Sequence, residues 1–378
     1  MANVIDYLHW RGDLKLEQDD VNEIDVLILA ELSYFPFEKL SFNAMDAPIS
    51  IRDATIQLLA LPDIEESVHL KDDISLMRAL SESDRFCGML ISNYVNRIDV
   101  ETQTQFAAIS VHVSEKLSFV LFRGTDSTLV GWKESFNMSF ICPVPAQKSA
   151  VEYLETVAGS LNGNLILGGH SKGGNLGMYA ATFCNSETRN RIVSIYNFDG
   201  PGFDKKVLST EQYQQTRDKM STYVPQSSIV GMLLEHEEQY IIVRSSQTVE
   251  YLQHDIFSWE VERNHFSYLE AVTDNSQYIN YTLKGWIADI DESQREKFVD
   301  ALYSIISQTN AHTLQDMEDK WFESSIAIFS SIDNMDEETR KLISKTLSLL
   351  ANNAKKTIGL ALETWAKSEL YRNHNIRI

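Results

Sequence analysis

The chain has 378 residues, of which 43% are hydrophobic and 23% charged, so it can bury a sizeable core and is neither disordered nor fibrous. Its formal charge of −21 repels phosphate backbones, which excludes non-specific nucleic-acid binding as an expected function. No apolar run reaches the ~20 residues that span a bilayer, and the opening residues lack a basic, apolar leader. Three scattered cysteines without a C-x-x-C pair indicate neither a zinc site nor a disulfide framework, and we predict a cytoplasmic location.

Residues 1–100 have a mixed texture, with apolar stretches at 26–32 and 74–80 that predict helices. Branched and aromatic residues then fill 106–113 and 118–122, on either side of a short polar segment. This pattern predicts a β-hairpin, which would form the antiparallel edge of a larger sheet.

From residue 150 onward, short apolar runs alternate with helical patterns. Strands are predicted at 164–167, 192–198 and 240–244, with helices at 150–161 and 176–181. Such alternation is typical of a mostly parallel sheet flanked by helices, the α/β class.

The last part of the chain contains no strand signal. Apolar residues recur there at steps of three and four and predict a long amphipathic helix: Ile343, Leu347, Leu350, Ala354, Ile358, Ala361 and Trp365. We therefore predict an α/β domain over residues 1–288 and a C-terminal helical region over 289–378. The helix either packs on its own domain or forms a homo-oligomer or partner seam.

The Gly-His-Ser-Lys-Gly motif at residues 169–173 follows an apolar strand directly and opens a helix. A nucleophile elbow requires this context, with the serine on a sharp strand-to-helix turn. Ser171 is the predicted nucleophile, the backbone N–H of Lys172 can bind developing negative charge, and His170 is expected to be structural. The alternative is a purely structural glycine turn.

A second oxyanion donor is predicted in Phe-Arg-Gly-Thr at residues 122–125, where a strand ends before the elbow. Thr125 can offer both its backbone N–H and its hydroxyl. The alternative is a plain turn in which Asp126 and Ser127 make local hydrogen bonds.

These two motifs together resemble the class 3 lipases: Phe-Arg-Gly-Thr at 122–125, then Trp132, then Gly-His-Ser-Lys-Gly-Gly at 169–174. The resemblance implies the α/β-hydrolase fold, in which Ser171 attacks the ester and Thr125 completes the oxyanion hole. This chemistry needs no metal or organic cofactor.

The resemblance continues through residues 224–230 and 234–240 and covers roughly residues 100–270. The opening segment, residues 5–34, is similar to an uncharacterised bacterial family of lipase-like hydrolases. That second resemblance covers most of the chain but implies no particular substrate.

The general base must follow the nucleophile in this fold, which leaves His236, His254, His265, His312 and His374. His236 matches a non-catalytic histidine of the lipases, and the last two are expected on the surface of the helical tail. The segments around His254 and His265 both resemble the lipases' catalytic Asp-His-Leu-Ser-Tyr. His254 is favoured because it is the earlier match and has an aromatic cluster behind it.

The acid is where the sequence departs from the lipases, because their catalytic aspartate matches Ser228. Either the triad is weakened, or the acid is Asp199, at the end of the preceding strand; Asp199 could also merely cap the Gly-Pro turn that follows. Lys172 is a second departure, since the lipases have an apolar residue there. Its side chain is expected to solvate the pocket rim or to pair with an acidic neighbour.

The favoured function is hydrolysis of a small-molecule or lipid carboxylic ester through an acyl-enzyme, by a lipase-like esterase. A thioesterase or acyltransferase would use the same serine chemistry. Two alternatives are a catalytically impaired binding module and a scaffold whose function lies in the C-terminal helices.

Overall fold

The computed structural model describes residues 1–40, 47–126, 128–307, 337, 339–346 and 348–349. The chain divides into two compact units, Met1–Val272 and Thr273–Ile378. This division differs from the boundary expected at residue 288, because that boundary was placed where strand signals end. The helix that follows the last strand belongs to the second unit. The limits of the functional domains stay a prediction.

The first unit contains a nine-stranded mixed sheet. In spatial order its strands are β1 (Ile49–Ser50), β2 (Leu90–Asp99), β3 (Thr104–Ser114), β4 (Leu117–Phe122), β5 (Asn164–His170), β6 (Ile192–Phe198), β7 (Met220–Pro225), β8 (Gln239–Val243) and β11 (Tyr268–Leu269). Strands β4 to β8 run parallel to one another. The pairings from β1 to β4, and that of β8 with β11, are antiparallel. The carboxyl ends of β4, β5 and β6 therefore meet at one edge, where the candidate site lies.

The predicted hairpin is confirmed as β3 and β4, but it does not form the edge of the sheet. Two further strands, β1 and β2, lie outside it. Strand β2 was missed because it is rich in polar residues, is only half-buried for much of its length and carries a β-bulge between Ser92 and Val95. A separate two-stranded ribbon pairs β9 (Val261–Glu262) with β10 (His265–Phe266).

Helices cover both faces of this sheet. In chain order they are α1 (Val4–Arg11), α2 (Glu23–Leu32), α3 (Ile51–Leu59), α4 (Ile64–Ser67), α5 (Asp73–Glu82), α6 (Leu129–Asn137), α7 (Pro145–Ala158), α8 (Lys172–Phe183), α9 (Ser186–Arg191), α10 (Lys205–Leu208) and α11 (Glu211–Thr216). Short 3-10 helices lie at Phe37–Lys39, Arg217–Lys219, Glu250–His254 and Ile256–Ser258. The chain is thus of the α/β class, as the alternation of strands and helices predicted.

The core lies on the two faces of the sheet, because side chains alternate along a strand. On β4, Phe119 and Leu121 join the apolar cluster that contains α2, α3 and α5. Val120 and Phe122 join the cluster on the other face, with α7 and α8. A strand buried on both faces needs a continuous apolar run, which is why the sequence revealed β4.

The second unit contains α12 (Asp274–Ala288) and α13 (Glu292–Ser307). The Trp286 indole N–H donates to the Thr346 carbonyl at 3.0 Å. Seven apolar positions predicted the long amphipathic helix, and Ile343 is the one among them that the structure describes. The other six fall outside the described residues, as do His312 and His374.

Two carboxyl groups are buried side by side in the first unit, Glu31 on α2 and Asp73 on α5, with 1% and 0% of each residue exposed. Burial raises the pKa of Glu31 well above its usual range and the pKa of Asp73 to about 7. The neighbouring Asp73 raises the pKa of Glu31 further, and the N–H of Leu70 donates to Asp73 Oδ2 at 2.8 Å. The folded protein therefore retains protons that the unfolded chain releases.

We expect the contribution of these two carboxyl groups to the free energy of unfolding to fall as the pH rises from about 4 to about 7. In that range the pair binds more protons in the folded state than in the unfolded state, so it makes the slope of stability against pH more negative. Urea denaturation at a series of pH values tests this for the wild type and for Glu31→Gln, whose slope should be less negative. Equal slopes for the two proteins would contradict the assignment.

Candidate active site

Ser171 stands between the end of β5 and the first residue of α8, as an elbow requires. Its backbone has φ 58° and ψ −134°, a region that a residue with a Cβ rarely occupies. The Ser171 N–H donates to the Phe198 carbonyl of β6 at 2.8 Å, which anchors the turn. The half-buried serine side chain is thereby presented at the N-terminus of α8.

The glycine after the elbow is required by a close backbone approach. A Cβ on Gly173 would lie 2.0 Å from the carbonyl oxygen of Phe122, at the end of β4. Only glycine allows α8 to begin this close to β4. Gly173 thus allows Ser171 to lie beside the Phe-Arg-Gly-Thr segment.

Asp199 follows β6 directly, with φ 51°, and it is 1% exposed. Its Oδ2 lies 2.6 Å from Nδ1 of His254, whose side chain is 28% exposed. The structure thus brings together the two side chains that sequence analysis favoured as acid and base. A proton on Nδ1 donated to Asp199 leaves Nε2 of His254 able to accept another proton.

Ser228, which occupies the position of the lipases' aspartate, also contacts this carboxylate. Its hydroxyl donates to Asp199 Oδ1, and the N–H of Gly231 donates to the same oxygen at 3.1 Å. Where the lipases have an aspartate, this chain therefore has a hydrogen-bond donor, Ser228, beside Asp199, the carboxylate that follows β6. Sequence analysis assigned no such contact, because nothing local to Ser228 indicates it.

His170 supports the histidine of this pair. Its Nε2 donates to the carbonyl oxygen of His254 at 2.9 Å, and the two rings lie 4.4 Å apart between centroids. Burial lowers the pKa of His170 well below its usual range, so this imidazole stays neutral. A neutral His170 adds no charge beside His254 and holds the backbone of its loop.

The other histidines considered as bases lie in different surroundings. His265 is on β10, its Nδ1 lies 2.8 Å from the carbonyl oxygen of Phe266, and its ring stacks on Tyr268. His236 Nδ1 is 2.6 Å from Glu238 Oε1. Neither is hydrogen-bonded to Asp199 within the part of the chain that the structure describes.

Ser171 and His254 are not hydrogen-bonded to each other in the structure, so this contact of the expected triad is not formed. Among the described residues, no hydrogen bond involves Ser171 Oγ. Hydrogen bonds between a nucleophile and its base are often long before substrate binds and tighten in the Michaelis complex. The arrangement therefore offers a preformed histidine–carboxylate pair next to a serine that has yet to engage it.

Two backbone donors lie close to this serine. A Cβ on Gly124 would lie 2.9 Å from Ser171 Cβ, so the residues that follow β4 border Ser171. The N–H groups of Thr125 and Lys172 have no hydrogen-bond partner among the described residues. The local turn considered as an alternative exists as well, because Asp126 Oδ1 accepts the N–H of Thr128 at 2.9 Å; Ser127 lies outside the described residues.

The hydroxyl of Thr125 is already engaged. It contacts Ser135 Oγ, and the Ser135 hydroxyl donates its proton to the Gly131 carbonyl at 2.9 Å. Since the serine proton is used, Thr125 must be the donor in the contact between the two hydroxyls. The backbone N–H of Thr125 is then the group available to an oxyanion.

Thr125→Val should therefore lower kcat by no more than about 10-fold, well below the roughly 10²- to 10³-fold effect of losing an oxyanion donor. The substitution keeps the backbone N–H and removes only a hydroxyl that donates to Ser135. Steady-state kinetics on a short-chain ester measure the effect. A loss of 1,000-fold or more would mean that the hydroxyl turns to the substrate during reaction.

The side chain of Lys172 is buried among polar partners, which makes the expectation that it solvates the pocket rim wrong. Its Nζ donates to Gln105 O at 2.7 Å, Gln105 Oε1 at 2.6 Å and Glu134 Oε2 at 2.9 Å. Both charged side chains are 1% exposed, and burial lowers the pKa of Lys172. The other expectation, a pair with an acidic neighbour, is confirmed. The pair forms because Glu134, on α6, lies within hydrogen-bond distance of Lys172 Nζ.

Lys172→Met should destabilise the protein by about 3–5 kcal/mol, because Glu134 would be left charged, buried and without its counter-ion. The double variant Lys172→Met/Glu134→Gln should lose less, since the glutamine is neutral. Chemical denaturation of the two variants gives the comparison. A double variant less stable than the single one would contradict this account.

The geometry defines a mixed α/β protein with a serine at a strand–turn–helix junction and a histidine–carboxylate pair. The chain matches the Mbeg1-like family over residues 80–304 and belongs to it. No curated protein matches the chain.

Two solved lipase structures are similar to parts of it. The crystal structure of M37 lipase is 16% identical, with 55% of this chain and 68% of that chain covered and a TM-score of 0.36. A fungal lipase–inhibitor complex is 14% identical, with 53% and 83% covered and a TM-score of 0.35. Likenesses this distant add no argument about activity.

Within the described ranges, no group of histidine, cysteine, aspartate and glutamate side chains is suited to hold a metal ion. In that same part of the chain, no helix is long and apolar enough to cross a membrane.

Proposed function

We propose that the protein is a serine hydrolase of the α/β-hydrolase type that cleaves a carboxylic ester through an acyl-enzyme. The observation that carries the proposal is the pair at the end of β6: Asp199 Oδ2 lies 2.6 Å from His254 Nδ1, beside Ser171 at its strained turn. A buried carboxylate that orients a histidine near a half-buried serine is the arrangement of acyl-transfer catalysis.

In the proposed mechanism, Ser171 Oγ attacks the ester carbonyl while its proton passes to His254 Nε2. Asp199 stabilises the resulting imidazolium. The N–H groups of Thr125 and Lys172 bind the oxygen that becomes negative. The imidazolium then protonates the leaving alcohol, and a water molecule activated by the same histidine releases the acid from Ser171. Apart from this water, the proposed steps use only groups of the protein.

The proposed substrate is a small-molecule or lipid ester, of the lipase-like esterase class. A thioester, or an alcohol in place of water as the acyl acceptor, would use the same residues. A panel of esters and thioesters of increasing acyl length, with and without an added alcohol, separates these three activities by rate and by product.

The binding-module alternative was based on the serine at position 228. Asp199 supplies a carboxylate to His254 from another strand, so the residue at 228 is no longer an argument for an impaired site. The cytoplasmic location and the C-terminal homo-oligomer seam stay predictions.

A fluorophosphonate probe tests the proposed function directly, because it reacts at a useful rate only with an activated serine. We expect labelling of the native protein and, after proteolysis, a modified peptide that contains Ser171. Heat-denatured protein is the control and should not react. Native protein that resists labelling and hydrolyses none of the panel would overturn the proposal.

A further inference from the structure

Tyr34, two residues beyond the end of α2, reaches the candidate site from outside the family-matched segment 80–304. It is 5% exposed, and its Oη accepts the N–H of Gly124 at 3.0 Å. Gly124 directly precedes Thr125, one of the proposed oxyanion donors. The tyrosine therefore meets the oxyanion segment by a specific hydrogen bond.

The tyrosine hydroxyl and the nucleophile flank the same glycine. A Cβ on Gly124 would lie 2.3 Å from Tyr34 Oη and 2.9 Å from Ser171 Cβ. No side chain fits at that point, so Tyr34 Oη and the Ser171 side chain lie close together on either side of Gly124. An oxygen bound to the carbon that Ser171 attacks would come near this hydroxyl.

Among the described residues, the proton of Tyr34 has only long hydrogen bonds available to it. Its acceptors are the carbonyl oxygen and Nδ1 of His170, at 3.4 and 3.5 Å. Hydrogen bonds from a hydroxyl to oxygen are normally 2.5–3.0 Å long, and a buried donor without one is unfavourable. A substrate oxygen placed beside Ser171 would supply the missing acceptor.

Two further features keep Tyr34 a donor in a fixed position. Burial raises the pKa of Tyr34 above its usual range, so the hydroxyl keeps its proton at any working pH. The exposed His69 stacks on its ring, with centroids 4.9 Å apart and planes inclined by 21°. The ring is thus held from one side by His69, while the backbone of Gly124 holds its hydroxyl.

We propose that Tyr34 is a catalytic residue whose hydroxyl donates a third hydrogen bond to the oxyanion, alongside the N–H groups of Thr125 and Lys172. The inference rests on the proposed hydrolase function. The tyrosine keeps its proton throughout, and Gly124 occupies a lone pair of Oη, which leaves the O–H to serve the substrate oxygen. Because this charge develops only in the transition state, the effect should be on kcat more than on KM.

Tyr34→Phe should lower kcat for a short-chain ester by about 100-fold and leave KM within about threefold. Tyr153→Phe is the matched control: Tyr153 is also a buried tyrosine, and its hydroxyl donates to the Asn93 carbonyl at 2.8 Å. Tyr153→Phe also loses one buried hydroxyl contact, but in another part of the first unit, so this variant should keep the wild-type rate. Thermal denaturation of both variants reports any loss of folding.

A trifluoromethyl ketone separates a catalytic role from a structural one, because its adduct with Ser171 carries the oxyanion. In Tyr34→Phe its inhibition constant should weaken by the same factor as kcat/KM falls. Unchanged kcat and inhibition in Tyr34→Phe, with Ser171→Ala inactive, would overturn the role of Tyr34 and leave the hydrolase function standing. Wild-type protein that neither hydrolyses esters nor reacts with a fluorophosphonate would overturn the function itself.

Discussion

Ser171→Ala should lower kcat for ester hydrolysis by about 10⁶ and abolish fluorophosphonate labelling. The variant loses the atom that forms the acyl-enzyme, while the backbone of the elbow is kept by the Ser171 N–H contact to Phe198. Alanine has the same Cβ as serine, so the turn with φ 58° is no more strained than before. The fold should therefore survive the substitution.

The measurement is kcat on the best ester of the panel, with thermal denaturation run on the same preparations. Ser160→Ala is the matched control, since Ser160 precedes β5 at the opposite edge of the sheet and donates only to the Val157 carbonyl at 2.9 Å. It should keep the wild-type rate. Activity retained in Ser171→Ala would remove the serine from the mechanism.

Asp199→Asn should lower kcat by about 10⁴, because the amide provides no charge to stabilise the imidazolium and no longer selects the Nδ1 tautomer of His254. The carboxylate is buried and contacts His254 at 2.6 Å, so water does not replace it. Steady-state kinetics on the same ester give the effect. A rate near that of the wild type would exclude Asp199 as the acid.

Ser228→Ala is the informative comparison for that experiment. It removes one of two hydrogen bonds to Asp199 Oδ1 and leaves the one from the Gly231 N–H, so kcat should fall less than about 10-fold. The combination Asp199→Asn/Ser228→Asp should recover part of the rate, because a carboxylate returns beside the histidine. A loss in Ser228→Ala as large as in Asp199→Asn would mean that the serine has a role of its own.

Strands in which apolar residues dominate could be predicted from the sequence. Strand β4 is apolar and buried on both faces, and the motif glycines mark where β5 turns into α8. Strands β6 and β8 were predicted as well, although parts of both are exposed. Strand β2 is half-exposed and bulged, so no period or apolar run distinguished it.

The candidate site, too, could be predicted only in part from the sequence. Asp199 and His254 were each proposed from their place after a strand and in a lipase-like segment, but their contact depends on the order of β6, β7 and β8 in the sheet. Tyr34 ends the opening segment, residues 5–34, but no role was assigned to it, because its partner Gly124 is distant in sequence. Contacts of this kind follow from tertiary structure and leave no local pattern.

The segment that carries His254 is held by the beginning of the chain. The Asn3 amide donates to the Phe257 carbonyl at 3.0 Å, and the Val261 N–H donates to the Ala2 carbonyl at 2.9 Å. These partners are more than 250 residues apart, so on the ribosome Ala2 and Asn3 must wait until residue 261 has emerged. Closing so long a loop is entropically unfavourable and slow compared with local steps. We therefore expect a nascent chain to form the strand–turn–helix around Ser171 early. It should gain the proposed hydrolase activity last, when residues 2–3 contact residues 257–261.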